Sequence, residues 1–249
     1  MPEYLQSHDR HNIAYHRHHG NNTPGVIFLS GFMSDMSGEK AQAVMQWCQT
    51  FDHSCVRFDY FGHGESSGDF EQGTISRWLE DAITVIDELS NGPQVLVGSS
   101  MGGWLSLLAA LQRPQRIAGL IGIAAAPDFT KNLVENRLDE NAKTQLHQNG
   151  VCYRPSQYSD QPYAITRALI DDGYQHLLLH DDIALSCPVR LLHGQQDIDV
   201  PWQISMQICA KLASSDVTVT ILKDAEHRLS RLSDLTLLTA TLAQLCQGY

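Results

Sequence analysis

No stretch of the chain approaches the ~20 apolar residues that a membrane-spanning helix needs. The longest runs, such as Val26 to Leu29 and Leu120 to Ala126, stop well short, so a membrane span is excluded. Basic residues are also scarce: 17 lysines and arginines face 28 acids, a net charge of −11. A chain this acidic is repelled by phosphate backbones, and no nucleic-acid partner is expected. The six cysteines (Cys48, Cys55, Cys152, Cys187, Cys209, Cys246) contain no C-x-x-C pair, which removes the usual spacing of a metal or redox site. Those within apolar stretches read as small core hydrophobes. Met1 to His8 shows no charged-then-apolar leader. Together these features imply free thiols and a reducing, cytoplasmic setting.

What is present is the composition of a globular protein. Of 249 residues, 43% are hydrophobic and 18% charged, enough for one large domain or two small ones. Tyr4–Ser7 and Asn12–Arg17 read as two short strands joined near His8–His11. Their histidines, His8, His11, His16, His18 and His19, raise the question of a metal. Side chains alternate across a strand, so of the last three only His16 and His18 share a side. An exposed hairpin is expected, and no metal.

From Val26 onward, short apolar runs alternate with helical segments. The runs are Val26–Leu29, Ser54–Asp59, Gln94–Gly98, Ile117–Ala124, Val189–His193 and Val217–Leu222. The helical segments lie near 38–50, 77–90, 101–112, 201–213 and 231–246. This predicts an α/β fold with a mostly parallel sheet and helices on both faces. Residues 128–186 break the rhythm. Phe129, Leu133, Val134, Leu138, Ala142 and Leu146 recur at helical spacing, and a second helical stretch covers 162–179, interrupted near Asp171–Gly173. The expectation is a core of residues 1–127 and 187–249, with 128–186 inserted as an all-helical lid rather than an independent domain.

In such sheets, ligands bind beyond the carboxyl ends of the strands. Gly98-Ser99-Ser100-Met101-Gly102 lies there, between the apolar run Val95–Val97 and a helical run from Trp104. It reads as G-x-S-x-G, a sharp strand-to-helix turn that lifts a hydroxyl clear of the backbone. Ser100 is the candidate nucleophile. Ser99, its neighbour, is misplaced relative to the glycines. A serine hydroxyl needs a base, and His227 follows the last strand. The imidazole needs a carboxylate. Asp197 is favoured because it lies close to its strand end, with Asp128 and Asp199 as the alternatives; Asp199 also suits a cap for the helix opening at Pro201-Trp202. The N–H groups of Met101 and Phe32 are the expected oxyanion donors. Phe32, Met33, Met36, Trp104, Leu133 and Leu138 are expected to line the substrate pocket.

These motifs resemble the α/β-hydrolase superfamily over nearly the whole chain. His193-Gly194-Gln195-Gln196-Asp197-Ile198-Asp199-Val200-Pro201 matches that superfamily's H-G-x-x-D-x-x-V-P loop, which supports Asp197 as the acid. Arg57 to Ser66 resembles its R-x-D-x-x-G-x-G-x-S loop, mainly structural in role. Phe58–Tyr60, Gly98–Trp104, Cys187–Gly194 and Val200–Trp202 are similar to its mitochondrial acyl-protein thioesterase branch, which also hydrolyses drug acyl-glucuronides. Tyr153-x-Pro155-Ser156-x-Tyr158-Ser159 resembles the same branch. The chain departs from it in having Ser30-Gly31-Phe32 where proline-glycine-aromatic is usual. It also has no transit extension ahead of Val26, which points to a bacterial or other cytosolic relative.

The reading is a serine esterase or thioesterase working through an acyl-enzyme, with no metal or organic cofactor. A small-molecule ester or thioester, or an acylated protein, is the expected substrate, and a monomer the default, with a dimer the alternative. An acyltransferase or cofactor-free perhydrolase on the same triad, or a non-catalytic ligand-binding protein, are the other readings.

Overall fold

A computed structural model of the protein describes residues 1–155 and 162–248. Its first half runs β1 (Glu3–Gln6), β2 (Asn12–His18), β3 (Asn22–Leu29), α1 (Glu39–Thr50), β4 (His53–Phe58), α2 (Ile75–Leu89), β5 (Gln94–Ser99), α3 (Met101–Gln112) and β6 (Ile117–Ile123). An inserted segment carries α4 (Phe129–Asn132), α5 (Glu140–Asn149), β7 (Val151–Arg154), β8 (Tyr163–Thr166) and α6 (Arg167–Gly173). The chain then completes the core with β9 (Val189–Gly194), α7 (Gln203–Lys211), β10 (Val217–Leu222) and α8 (Leu232–Gln247).

Eight strands form one sheet in the order β1-β2-β4-β3-β5-β6-β9-β10. The β1–β2 and β2–β4 pairs are antiparallel and the rest parallel. Alternation along each strand divides the core between two faces. Ile27 and Leu29 point to one face with Leu96, Trp78, Leu105 and Ile208, under α2, α3 and α7. Val26 and Phe28 point to the other with Val95, Val97, Val44 and Leu242, under α1 and α8. Covering both faces with helices explains why the central strands read as continuous apolar runs.

The inserted segment differs from the all-helical expectation. The Phe129–Leu146 pattern breaks into α4, a π turn over Leu133–Arg137 and α5; Leu138 is extended and Asp139 caps α5 by accepting the Ala142 N–H. The stretch 162–179 opens as β8, which pairs antiparallel with β7. Cys152 and Ile165 face inward from this hairpin, into an apolar cluster with Leu138, Leu146 and Ile170, while Tyr153 faces out. Runs of four residues are too short for periodicity to separate strand from helix. Of the 153–159 motif, Ser156, Tyr158 and Ser159 lie outside the described residues.

Four of the six free cysteines are buried. Among the described residues no helix is long and apolar enough to cross a membrane. The N-terminal histidines do not act together. His11 sits between Asp9 (Nδ1–Oδ1, 2.5 Å) and the fully buried Asp81 (Nε2–Oδ1, 2.7 Å), pinning the β1–β2 turn to α2. Burial opposes the charge on His11, but the bonds to Asp81 and Asp9 outweigh it and raise its pKa. A raised histidine pKa contributes stability that is fully present below the unfolded value, ~6.5, and lost as pH rises through the folded value. His11→Gln is therefore expected to destabilise more at about pH 6 than at about pH 9, as read by urea denaturation at the two pH values.

Candidate active site

The carboxyl ends of β5, β9 and β10 converge on one spot. Ser100, between β5 and α3, has φ 54° and ψ −117°, a conformation that costs on the order of 1–3 kcal/mol and persists only when its surroundings enforce it. Here β6 enforces it. The Ser100 N–H donates to the Ile123 carbonyl at 2.9 Å, and the Ser100 carbonyl accepts the N–H groups of Ala126 (3.1 Å) and Gly103 (2.9 Å). The motif glycines are a matter of space. A Cβ on Gly102 would stand 2.1 Å from the Leu29 carbonyl oxygen, and one on Gly98 2.3 Å from that of Gly102.

His227 reaches Ser100 from the loop after β10, its Nε2 3.1 Å from Oγ. Its Nδ1 is 2.7 Å from Asp197 Oδ2. Of the three acids weighed from sequence, Asp197 is the one whose carboxylate lies against His227. The Asp128 carboxylate accepts the Leu178 and Leu179 N–H groups at 2.8 and 3.0 Å, and that of Asp199 pairs with Arg137 at 3.8 Å. Asp199 does not cap α7 either: the residue before that helix is Trp202, with no side-chain cap.

Four donors converge on the Asp197 carboxylate. Oδ1 accepts the N–H groups of Asp199 and Val200, both at 2.8 Å. Oδ2 accepts His227 Nδ1–H and, at 3.1 Å, His193 Nε2–H. Burial pushes this carboxyl up, but the bonds from His193, His227 and the Val200 N–H outweigh it and hold its pKa well below the usual carboxylate range. An ionised carboxylate only accepts. His227 therefore carries its proton on Nδ1 and turns the Nε2 lone pair to the Ser100 hydroxyl. The same logic settles His193, a residue the sequence reading passed over although it opens the H-G-x-x-D loop. Its Nε2 faces two acceptors, Asp197 Oδ2 and the Val200 carbonyl (3.0 Å), so Nδ1 accepts from Ser205 Oγ at 2.7 Å.

Asp197, Asp199 and His227 are the group among the described residues close enough to share a metal, their ligand atoms lying within 4.8 Å of one another. A cation there would have to displace the His227–Asp197 bond and the Asp199–Arg137 pair. The donors are already engaged, which does not fit a resident metal.

The Gly31–Ser34 turn faces Ser100 from β3: a Cβ on Gly31 would lie 3.5 Å from the Ser100 Cβ. This puts Phe32 beside the elbow, opposite Met101. Met101 opens α3, where a first-turn N–H has no intrahelical partner. The Phe32 ring packs against Phe70, Trp78, Phe129 and Tyr163, with centroids 5.0–6.0 Å apart. Leu133 and Leu138 join Phe32 in the apolar cluster of the inserted segment. Trp104 is fully buried beneath it; its indole N–H donates to the His176 carbonyl at 3.1 Å, and its ring meets Phe129 edge-on at 5.6 Å. Met33 is half-buried in the turn. Met36 is buried and stands apart from these residues, its N–H donated to Asp59 Oδ1 at 2.6 Å. The inserted segment also holds the acid loop: Arg137 Nη1 donates to the carbonyls of Ile198 (3.0 Å) and Asp199 (2.5 Å).

A sequence profile described as the alpha/beta hydrolase fold matches residues 24–150. Human palmitoyl-protein thioesterase ABHD10, mitochondrial, is 42% identical over 243 residues, covering 97% of this chain and 79% of its own length. The structure of alpha/beta hydrolase domain-containing protein 10 from mouse superposes with a TM-score of 0.91 at 38% identity, covering 100% of this chain and 99% of that one. A hydrolase from Agrobacterium vitis S4 superposes at 0.94 with 36% identity, covering 99% and 98%. The cytoplasmic placement expected from sequence is corrected by the first of these, which is mitochondrial by name. Unpaired thiols report a reducing environment and do not distinguish one reducing compartment from another.

Gly102→Val is expected to lower the thermal midpoint strongly or prevent folding, since its side chain meets the β3 backbone. A melting curve within 2–4 °C of wild type, a shift of about 1 kcal/mol for a domain of this size, would contradict the account of the elbow.

Proposed function

The chain belongs to the alpha/beta hydrolase fold family and is a serine hydrolase of ester or thioester bonds; on that footing we propose that Ser100, His227 and Asp197 carry the reaction, on long-chain acyl thioesters of proteins. The observation that carries the residue roles is the unbroken line from Ser100 Oγ through His227 to Asp197, with bonds of 3.1 and 2.7 Å. The relatives named as palmitoyl-protein thioesterases support the substrate class. So does the apolar cluster of Phe32, Leu133, Val134 and Leu138 beside the elbow.

Ser100 Oγ attacks the acyl carbon while His227 Nε2 takes its proton, and the charge on the carbonyl oxygen falls to the N–H groups of Phe32 and Met101. As the tetrahedral adduct collapses, the imidazolium returns the proton to the leaving thiol or alcohol. His227 then takes a proton from water, which attacks the acyl-enzyme; the second adduct collapses to the carboxylic acid as the imidazolium returns that proton to Ser100 Oγ. Asp197 stays ionised throughout, orienting the imidazole and stabilising its charge. Residues 128–186 act as a lid that supplies the apolar wall, a role supported by the bonds from Arg137 to the acid loop and from Trp104 to His176.

The test is a series of p-nitrophenyl esters from C2 to C16 beside a matched palmitoyl-peptide thioester. Ser100→Ala should lose on the order of 10⁶-fold in kcat; turnover that survives it would overturn the assignment. A preference for short esters with no thioester cleavage would reject the substrate class and leave the triad standing. Asp197→Asn should lose on the order of 10⁴-fold in kcat with the fold intact, measured on the best substrate of the series.

A further inference from the structure

His63, in the loop after β4, is 4% exposed and has no part in the triad. Its ring is boxed edge-on by Tyr60, Phe70 and Trp78, at centroid distances of 5.6, 5.0 and 5.2 Å. Nδ1 lies 3.1 Å from the Phe61 carbonyl, which also accepts the Trp78 indole N–H at 3.0 Å. The Phe61 peptide is fixed on its other side too, its N–H donated to the buried Asp81 at 2.8 Å. A carbonyl only accepts, so Nδ1 is protonated and Nε2 is a lone pair. That lone pair faces the Met33 N–H at 3.2 Å. Charging the ring would set two N–H groups against each other, and burial holds its pKa down at about 4.

Met33 is the third residue of the Gly31–Ser34 turn, closed by the Ser34 N–H on the Gly31 carbonyl at 3.1 Å. Its φ is 53°, while Phe32 is not among the residues with positive φ. Positive φ at the third position alone marks a type II turn, which normally places glycine there. Type I and type II turns differ by a flip of their central peptide, here Phe32–Met33. In this chain a non-glycine residue holds the less favoured form, and the His63 lone pair is bound to the N–H of that peptide.

We propose that His63 is a positioning residue for the oxyanion side of the site: by accepting the Met33 N–H it ties the Gly31–Ser34 turn to the loop after β4, and so holds the adjoining Gly31–Phe32 peptide, whose N–H is the proposed oxyanion donor, beside the Ser100 elbow. This rests on the assignment of Phe32 and Ser100 given above. Its effect falls on the transition states and tetrahedral adducts that carry the oxyanion and is absent from the bound substrate.

The test compares His63→Phe, which keeps the aromatic box and removes the acceptor, with His63→Gln, whose Oε1 replaces Nε2. His63→Phe should lower kcat about 10- to 100-fold, less than the loss of a whole oxyanion donor, with KM within about 2-fold. It should weaken a boronic-acid inhibitor in proportion to kcat, and His63→Gln should recover most of both. A His63→Phe enzyme with wild-type kcat overturns the proposal, as does a His63→Gln enzyme impaired as severely as His63→Phe. Should neither variant fold, ¹⁵N NMR of the wild-type imidazoles decides: a neutral ring protonated on Nδ1 is expected, and protonation on Nε2 overturns it. Ser100→Ala, run in parallel, separates failure of this inference from failure of the triad, since only the latter leaves Ser100→Ala active.

Discussion

The Ser100 backbone, at φ 54° and ψ −117°, is a conformation no isolated peptide would keep. It survives because the end of β6 and the turn after it grip Ser100 at both its N–H and its carbonyl, through Ile123 and Ala126. Both grips depend on β5 and β6 lying parallel and in register, and that register depends on the apolar layers on the two faces of the sheet. The site therefore draws on the whole core. A hydroxyl is presented at a helix N-terminus, beside unpaired N–H groups that favour negative charge, and the strain of presenting it is distributed over the sheet.

Four histidines are used in different ways, each set by what its two nitrogens face. His227 and His193 meet the same ionised carboxylate oxygen, so each donates to it and offers its other nitrogen to a hydroxyl, Ser100 in one case and Ser205 in the other. His63 meets a carbonyl and a backbone N–H and is held neutral by burial. His11, between two carboxylates, has its pKa raised. The residue type is constant and the partner decides the role. The low pKa of Asp197 belongs to this pattern: without four converging donors, a carboxyl this buried would resist ionisation, and His227 would lose the acceptor that fixes its tautomer.

The two sides of the proposed site are built by the same device. On the acid side, a loop carrying Asp197 is anchored from within by His193 and from outside by Arg137 of the inserted segment. On the oxyanion side, a turn carrying Phe32 is anchored from within by His63 and covered by the aromatic rings of Phe129 and Tyr163. The inserted segment thus touches both loops. An acyl group entering between them would meet Phe32, Leu133 and Leu138 on one wall and the Ser100 elbow at its end.

The linear order of residues determined the fold class and the elbow at Gly98–Gly102, and it pointed to Ser100 and His227 with three candidate acids. Each of these rests on local chemistry: an apolar run bounded by breakers, glycines where no side chain fits, polar residues just past strand ends. Tertiary structure decided what local pattern cannot. It set Asp197 against His227, while the Asp128 carboxylate turns to the Leu178 and Leu179 N–H groups and that of Asp199 to Arg137. It turned four-residue runs at Val151 and Tyr163 into a hairpin, where cross-strand pairing outweighs weak local preference. And it gave His11, His63, His193 and His227 different partners, because the protonation of an imidazole is set by neighbours that lie far away along the chain and meet it only when the sheet has closed.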